Sequence, residues 1–129
     1  MIFSLSRSPK LRDLLRVADQ ARDRKDWPQA ALGYRAALGR AADRAGLWVQ
    51  YGHALKESGY ITDAELAYRQ AIARDPADAD SYVQLGHALK LLQRRDEARE
   101  AYRHAFQIDR SSEQARLELT NLDVDPATL

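Results

Sequence analysis

Cysteine is missing from all 129 residues, which removes disulfide frames and thiolate chemistry at once. An excess of charge is missing too: 20 lysines and arginines meet 19 acids, for a formal charge of +1. Phosphate backbones are gripped by a net basic surface or a concentrated basic stripe, so nucleic acid is not expected as a partner. No apolar run is long enough to span a bilayer, and Met1-Ile-Phe-Ser-Leu-Ser is too short an apolar start for a signal peptide; no membrane association is expected, and the cytoplasm is the expected compartment. A glycine-rich phosphate loop, a His-Glu-x-x-His spacing and a nucleophile–base pair are also lacking, so neither an enzyme nor a cofactor is expected. The hydrophobic share of 45% is ordinary for one domain of this length.

What the chain does have is a copy of itself. Trp48-Val-Gln-Tyr-Gly-His-Ala-Leu-Lys56 returns 34 positions later as Tyr82-Val-Gln-Leu-Gly-His-Ala-Leu-Lys90. The same offset maps Ala64 to Ala98, Ala67 to Ala101, Tyr68 to Tyr102, Arg69 to Arg103 and Ala71 to Ala105. One interval earlier lies a fainter copy, with Ala18 under Gly52, Ala30 under Ala64, Tyr34 under Tyr68 and Ala37 under Ala71. Three units therefore run at 11–44, 45–78 and 79–112. A period of this size marks stacked supersecondary units rather than one folded-over core.

Each unit holds two apolar-periodic segments of helical length around a short polar break. Start signals are Ser8-Pro9, Asp26-Trp-Pro-Gln29, Thr62-Asp-Ala-Glu65 and Ser111-Ser-Glu-Gln114, the last three spaced as capping boxes. Gly59 and Pro76 read as stops. Helices are predicted near 9–24, 27–41, 45–58, 62–74, 79–92, 96–108 and 112–122. Gly52, Gly86 and Ala18 allow close helix approach with Ala64 and Ala98. Trp48, Tyr68, Tyr82 and Tyr102 are expected to fill gaps between units, and removing a buried ring such as that of Trp48 should cost on the order of 3–5 kcal/mol. Arginines and lysines at 22, 24, 25, 35, 40 and 44, and Arg94, Arg95, Arg99 and Arg103, are interleaved with acids, which reads as a solvated face. Pairs such as Glu65–Arg69 on it are worth only a few tenths of a kcal/mol.

The spacing Trp-x2-Leu-Gly-x2-Tyr, then Ala-x3-Phe, then Pro belongs to the tetratricopeptide repeat (TPR). The second unit reads Trp48, Tyr51-Gly52, Leu55, Ala64, Tyr68 and Pro76. The third reads Tyr82, Leu85-Gly86, Leu89, Ala98 and Tyr102, with Arg110 in the proline place. In the first, Leu14, Val17-Ala18, Ala21, Ala30 and Tyr34 correspond, with Ala42 in that place. The chain thus resembles the TPR family over about 11–122. The resemblance implies an all-α, right-handed solenoid of three helix-turn-helix units with a capping helix at 112–122 and a tail at 123–129, the whole of 1–129 forming a single domain.

In such a stack, function falls to the inner surface presented by the first helix of every unit. After the packing positions are set aside, one line there is Leu15, Val49, Val83 and Leu117. A second is Arg16, Gln50, Gln84 and Glu118, and a third Asp19, His53, His87 and Asn121. Arg22, Lys56 and Lys90 form a basic edge one turn on. An aliphatic floor beside an amide ladder suits an extended peptide, whose backbone Gln50 and Gln84 could bond. TPR proteins that grip the free C-terminal carboxylate of chaperones use lysines, asparagines and other basic residues at places that hold Leu15, Asp19, Gln50, Asp80 and Gln84 here. Sliding by one unit gives Val49, His53, Gln84, Gln114 and Glu118. Neither set supplies the cation a carboxylate needs, so that activity is not expected. His53 and His87 sit on helices roughly 8–10 Å apart, with Asp19 and Asn121 as the only further ligands and His104 elsewhere, so no metal site is expected. Imidazoles in a groove can still make affinity depend on pH.

Ala115, Leu119 and Leu122 should face inward on the last helix, as the first helix of an incomplete fourth unit. The run from Trp48 to Gly59 also resembles TPR arms placed before glycosyltransferase domains in bacterial proteins, which implies catalytic residues outside this sequence and a longer polypeptide. Two functions stay open. One is a non-catalytic scaffold that binds a protein or peptide in the groove. The other is an assembly module forming a homodimer through an end helix or the convex side, with Leu119, Leu122 or Ile2-Phe3-Leu5 as contacts.

Overall fold

The computed structural model describes residues 8–129; Ile2, Phe3 and Leu5 lie outside that range. Seven α-helices follow one another among the described residues: α1 (Leu11–Asp23), α2 (Trp27–Leu38), α3 (Ala45–Glu57), α4 (Ile61–Arg74), α5 (Ala79–Leu91), α6 (Arg95–Ile108) and α7 (Glu113–Asn121). A short 3-10 turn, Pro126–Thr128, closes the chain. Helices pack as neighbours in order, most closely within the pairs α1–α2, α3–α4 and α5–α6, then across α2–α3, α4–α5 and α6–α7. Successive first helices α3 and α5 also touch. This is the layout of an all-α TPR solenoid, with contacts confined to adjacent units.

Capping explains the ends. Asp26 and Ser112 accept from the backbone N–H of Gln29 and Ala115 at 3.4 and 3.2 Å, and Asp78 does so from Asp80 at 3.2 Å. Three predicted caps differ: α7 is capped by Ser112 and not by Ser111 of the expected Ser111–Gln114 box. α4 begins at Ile61 with Tyr60 before it, two residues too early for the Thr62 hydroxyl to cap it, and α1 begins at Leu11 after Lys10, past Ser8-Pro9. The first helix of each pair stops in a shared joint. Lys25, Gly59 and Gln93, 34 residues apart, all take positive φ, as does Asp123 after α7. The N–H of the residue after each joint reaches back to Ala21, Leu55, Leu89 and Leu119, the six-to-one bond of a Schellman ending. Only Gly59 takes this conformation without Cβ strain.

Inside each pair, a tyrosine of the second helix lies across a small residue of the first. Tyr34, Tyr68 and Tyr102 are fully buried. A Cβ on Gly52 would stand 2.6 Å from Tyr68 Cε1, and one on Gly86 would stand 2.5 Å from Tyr102 Cε1. Tyr68 and Tyr102 thus fill space within units, whereas gaps between units had been expected for them. In the first pair the roles are exchanged: Gly33 supplies the space, with its Cβ direction 2.7 Å from Ala18 Cβ. Trp48 is only half-buried. Its indole N–H donates to the Ala42 carbonyl at 2.8 Å and the Arg74 guanidinium lies 4.9 Å above the ring, so its removal should cost less than about 3 kcal/mol. Glu65 also departs from expectation. It is 6% exposed and held by Arg69 at 3.0 Å and Arg94 of the next unit at 2.6 Å, a buried inter-unit tie rather than a surface pair. No described helix is long and apolar enough to cross a membrane.

Candidate interaction surface

The wall formed by α1, α3, α5 and α7 is stitched by side chains one unit apart. Arg22 Nη1 donates to Gln50 Oε1 at 3.5 Å, Lys90 pairs with Glu118, and the Gln114 amide meets His87 Nε2 at 2.9 Å. These ties join α1 with α3 and α5 with α7; among the described residues none joins α3 with α5, which meet through their backbones. Leu15, Asp19, Val49, Gln50, His53, Lys56, Gln84 and His87 are half-buried, and Arg16, Lys90, Leu117 and Asn121 are exposed. Val83 is 2% exposed and belongs to the core, so the aliphatic floor is interrupted at the third unit. The amide ladder is partly engaged as well, because Gln50 accepts from Arg22 and the Gln84 amide donates to Asp80 at 3.3 Å.

The hydroxyls of the three buried tyrosines point toward this wall. Tyr34 Oη donates to Asp19 Oδ1 at 2.6 Å, and Arg22 Nη1 lies 3.3 Å from each of these oxygens. Tyr102 Oη sits 2.7 Å from His87 Nδ1. With the Gln114 amide donating to Nε2, the imidazole proton is on Nδ1 and Tyr102 Oη accepts it. Tyr68 Oη is buried with no hydrogen-bond partner. His53, which stands where Asp19 and His87 stand in the other units, instead sets its ring edge-on to Trp27 at 5.1 Å.

Burial disfavours the charged ring and holds both His53 and His87 below the ordinary histidine pKa, with the positive charge of Lys56 as the next cause for each. Around His87, Lys90 acts in the same sense and Glu118 and Asp80 oppose it. The two rings turn to different neighbours, one to Trp27 and the other to Tyr102 and Gln114. Among the described residues no three His, Cys, Asp or Glu side chains gather as a metal set.

Two features lay beyond the sequence reading. Clefts of about 400 and 460 Å³ open beside the second helices, the first reaching from Pro28 and Leu32 to Tyr60, the second from Arg69 to His104, which stacks on Tyr82 at 5.2 Å. Leu32, Tyr60 and Leu66 are each more than half exposed; Leu32 and Leu66 are one period apart, a signal that could have been read. Leu119 and Leu122 are 0% and 2% exposed, so they close the core under α7 and offer no dimer contact.

Family models described as tetratricopeptide repeat match residues 45–87 and 79–112. Together they cover more than half of the chain, which belongs to the tetratricopeptide repeat family. No curated protein matches it. Among solved structures, the Arabidopsis OM64 TPR domain superposes with a TM-score of 0.82 at 22% identity, over 87% of this chain and 93% of that one. The Sgt2 TPR domain from Aspergillus fumigatus gives 0.81 at 22%, over 95% and 83%. The TPR2B domain of yeast Sti1, solved as a complex with pHsp70, gives 0.79 at 20%, over 94% and 98%.

Proposed function

We propose that this chain is a non-catalytic interaction module that takes an extended peptide or protein segment along the wall of α1, α3, α5 and α7. The observation that carries this reading is the register of that wall. Side chains tie α1 to α3 and α5 to α7, the backbones of α3 and α5 touch, and Val49, His53, Lys56 and Gln84 remain half-exposed at the untied middle. An extended segment lying across the helices would meet a new unit roughly every 8–10 Å, and its backbone could use amides and imidazoles on the way. That the yeast Sti1 domain of similar fold is described with pHsp70 supports peptide capture as a use of this architecture. The way of gripping must differ, because Leu15, Asp19, Gln50, Asp80 and Gln84 offer no cation where a terminal carboxylate clamp needs one.

Selection of short linear peptides from a random phage-displayed library, followed by calorimetry on the best binders, tests the reading. Binding should be lost in the paired His53→Glu and His87→Glu variant while circular dichroism and the monomeric mass stay unchanged. Peptides that bind this variant as tightly as the natural chain contradict it. A second reading, self-association, is favoured by exposed Leu32 and Tyr60, which line one cleft, and by exposed Leu66 beside the next. It predicts a dimer in sedimentation that Leu66→Glu dissociates.

A further inference from the structure

The first unit shows how this wall holds a carboxylate. Asp19 accepts from the Tyr34 hydroxyl at 2.6 Å and stands 3.3 Å from Arg22 Nη1. A shift of one period converts Tyr34 to Tyr68, Arg22 to Lys56 and Asp19 to His53. The second unit therefore keeps the hydroxyl and the cation but has a histidine where the carboxylate stood; the acids whose charge reaches Tyr68 are Asp80 and Glu57, and neither bonds its hydroxyl.

Both donors are left without a partner. The Tyr68 hydroxyl is buried and bonded to nothing, and His53 has swung to the edge of Trp27. Of the four cations assigned to this wall, Arg16 lies 3.5 Å from Asp13, Arg22 pairs with Asp19 and Asp23, and Lys90 with Glu118. Lys56 alone among them has no acid within 4.0 Å among the described residues. The rule that pairs Arg22 with Gln50 and Lys90 with Glu118, 28 positions on, assigns Lys56 to Gln84, whose amide is turned to Asp80. By register, half-buried Lys56 and the buried, unpartnered Tyr68 hydroxyl thus correspond to the two groups that one unit earlier surround a carboxylate.

Resting on the groove reading above, we propose that the second unit is a subsite for an aspartate or glutamate side chain of the bound segment. That carboxylate accepts from Lys56 Nζ and Tyr68 Oη in the place that Asp19 fills in the first unit. A charge-assisted bond to each donor is stronger than a neutral one, and an acceptor brought by the partner satisfies a hydroxyl that folding leaves bare. Specificity follows because a peptide lacking the acid leaves both groups as they were.

The test uses the peptides selected on the natural chain. They should share an Asp or Glu at one fixed place, and changing it to Asn or Gln should weaken binding roughly tenfold, the range of a partly buried charge pair. Lys56→Gln should weaken the acidic peptide by a similar factor and leave the amide peptide unchanged, so the two losses do not add. Tyr68→Phe should weaken the acidic peptide selectively without lowering thermal stability. His53→Asp installs the missing carboxylate within the chain and should abolish the preference for acid. Peptides that need no acidic residue and bind Lys56→Gln unchanged, yet are lost in the paired histidine variant, overturn the subsite and leave the groove standing. Failure of the library to yield any binder overturns both.

Discussion

Three tyrosines buried alike in successive units, differing only in what their hydroxyls meet, make an internally controlled experiment. Changing each to Phe removes one oxygen and keeps the ring that fills the helix pair, so cavity terms cancel. Tyr34→Phe removes a bond of 2.6 Å to the Asp19 carboxylate. Bonds to charged groups are worth about 1.5–3 kcal/mol, and since Asp19 is 46% exposed, about 1–2 kcal/mol is expected here. Tyr102→Phe removes the neutral contact of 2.7 Å with His87, worth about 1 kcal/mol. Tyr68→Phe removes a hydroxyl that has no partner. The burial of a bare hydroxyl costs about 1–3 kcal/mol in mutational data, so this change should leave stability unaltered or raise it by up to about 1 kcal/mol. Urea unfolding followed by helical circular dichroism gives all three from midpoints at constant slope. The reasoning is refuted if Tyr68→Phe proves as destabilising as Tyr34→Phe.

Gly86→Ala places a Cβ 2.5 Å from the Tyr102 ring and should cost about 1–3 kcal/mol by overpacking. Gly46→Ala, with nothing within 4 Å, should stabilise α3 by about 0.5–1 kcal/mol; equal effects in thermal melts would contradict the packing described. Gln93→Gly should raise stability by about 1 kcal/mol, since φ of 61° at this joint strains any side chain, and a loss in the same melts would show the joint to be unstrained. His53 and His87 titrate below the ordinary range, so the unfolded chain binds more protons than the folded one once pH falls below about 6.5. Their contribution is therefore complete above that pH and declines as pH drops toward the folded values. Lys56→Gln, by removing a like charge from both rings, should flatten the decline of the urea midpoint, and an unchanged slope would contradict the assignment.

The sequence shows the stack clearly because the period repeats small and aromatic residues at places that geometry forces: Gly52 and Gly86 are fixed by the tyrosine rings that lie on them, and the helices fall within a few residues of where their apolar periodicity and stops put them. Local competition decided the failures. Ile61 starts α4 with its side chain packed against the core, which leaves Thr62 inside the helix and not at its cap. Val83 sinks where Val49 does not, because the identity of two valines says nothing about how far each lies from the neighbouring helix. Glu65 looked like half of an ordinary helical pair, and only the approach of Arg94 from the next unit buries it. The candidate wall was legible as three lines of residues, but its chemistry was not. Which hydroxyl finds a partner depends on whether the residue 15 positions earlier faces it or turns to Trp27, and periodicity assigns all three units the same answer.

Amide chemical-shift mapping during titration of an acid-containing selected peptide bears most directly on where this protein receives a partner. The largest changes should run along α1, α3, α5 and α7 and centre on Gln50, His53, Lys56 and Gln84. Changes confined to the second helices around Leu32, Tyr60 and Leu66 would place the partner on the opposite side and contradict the account.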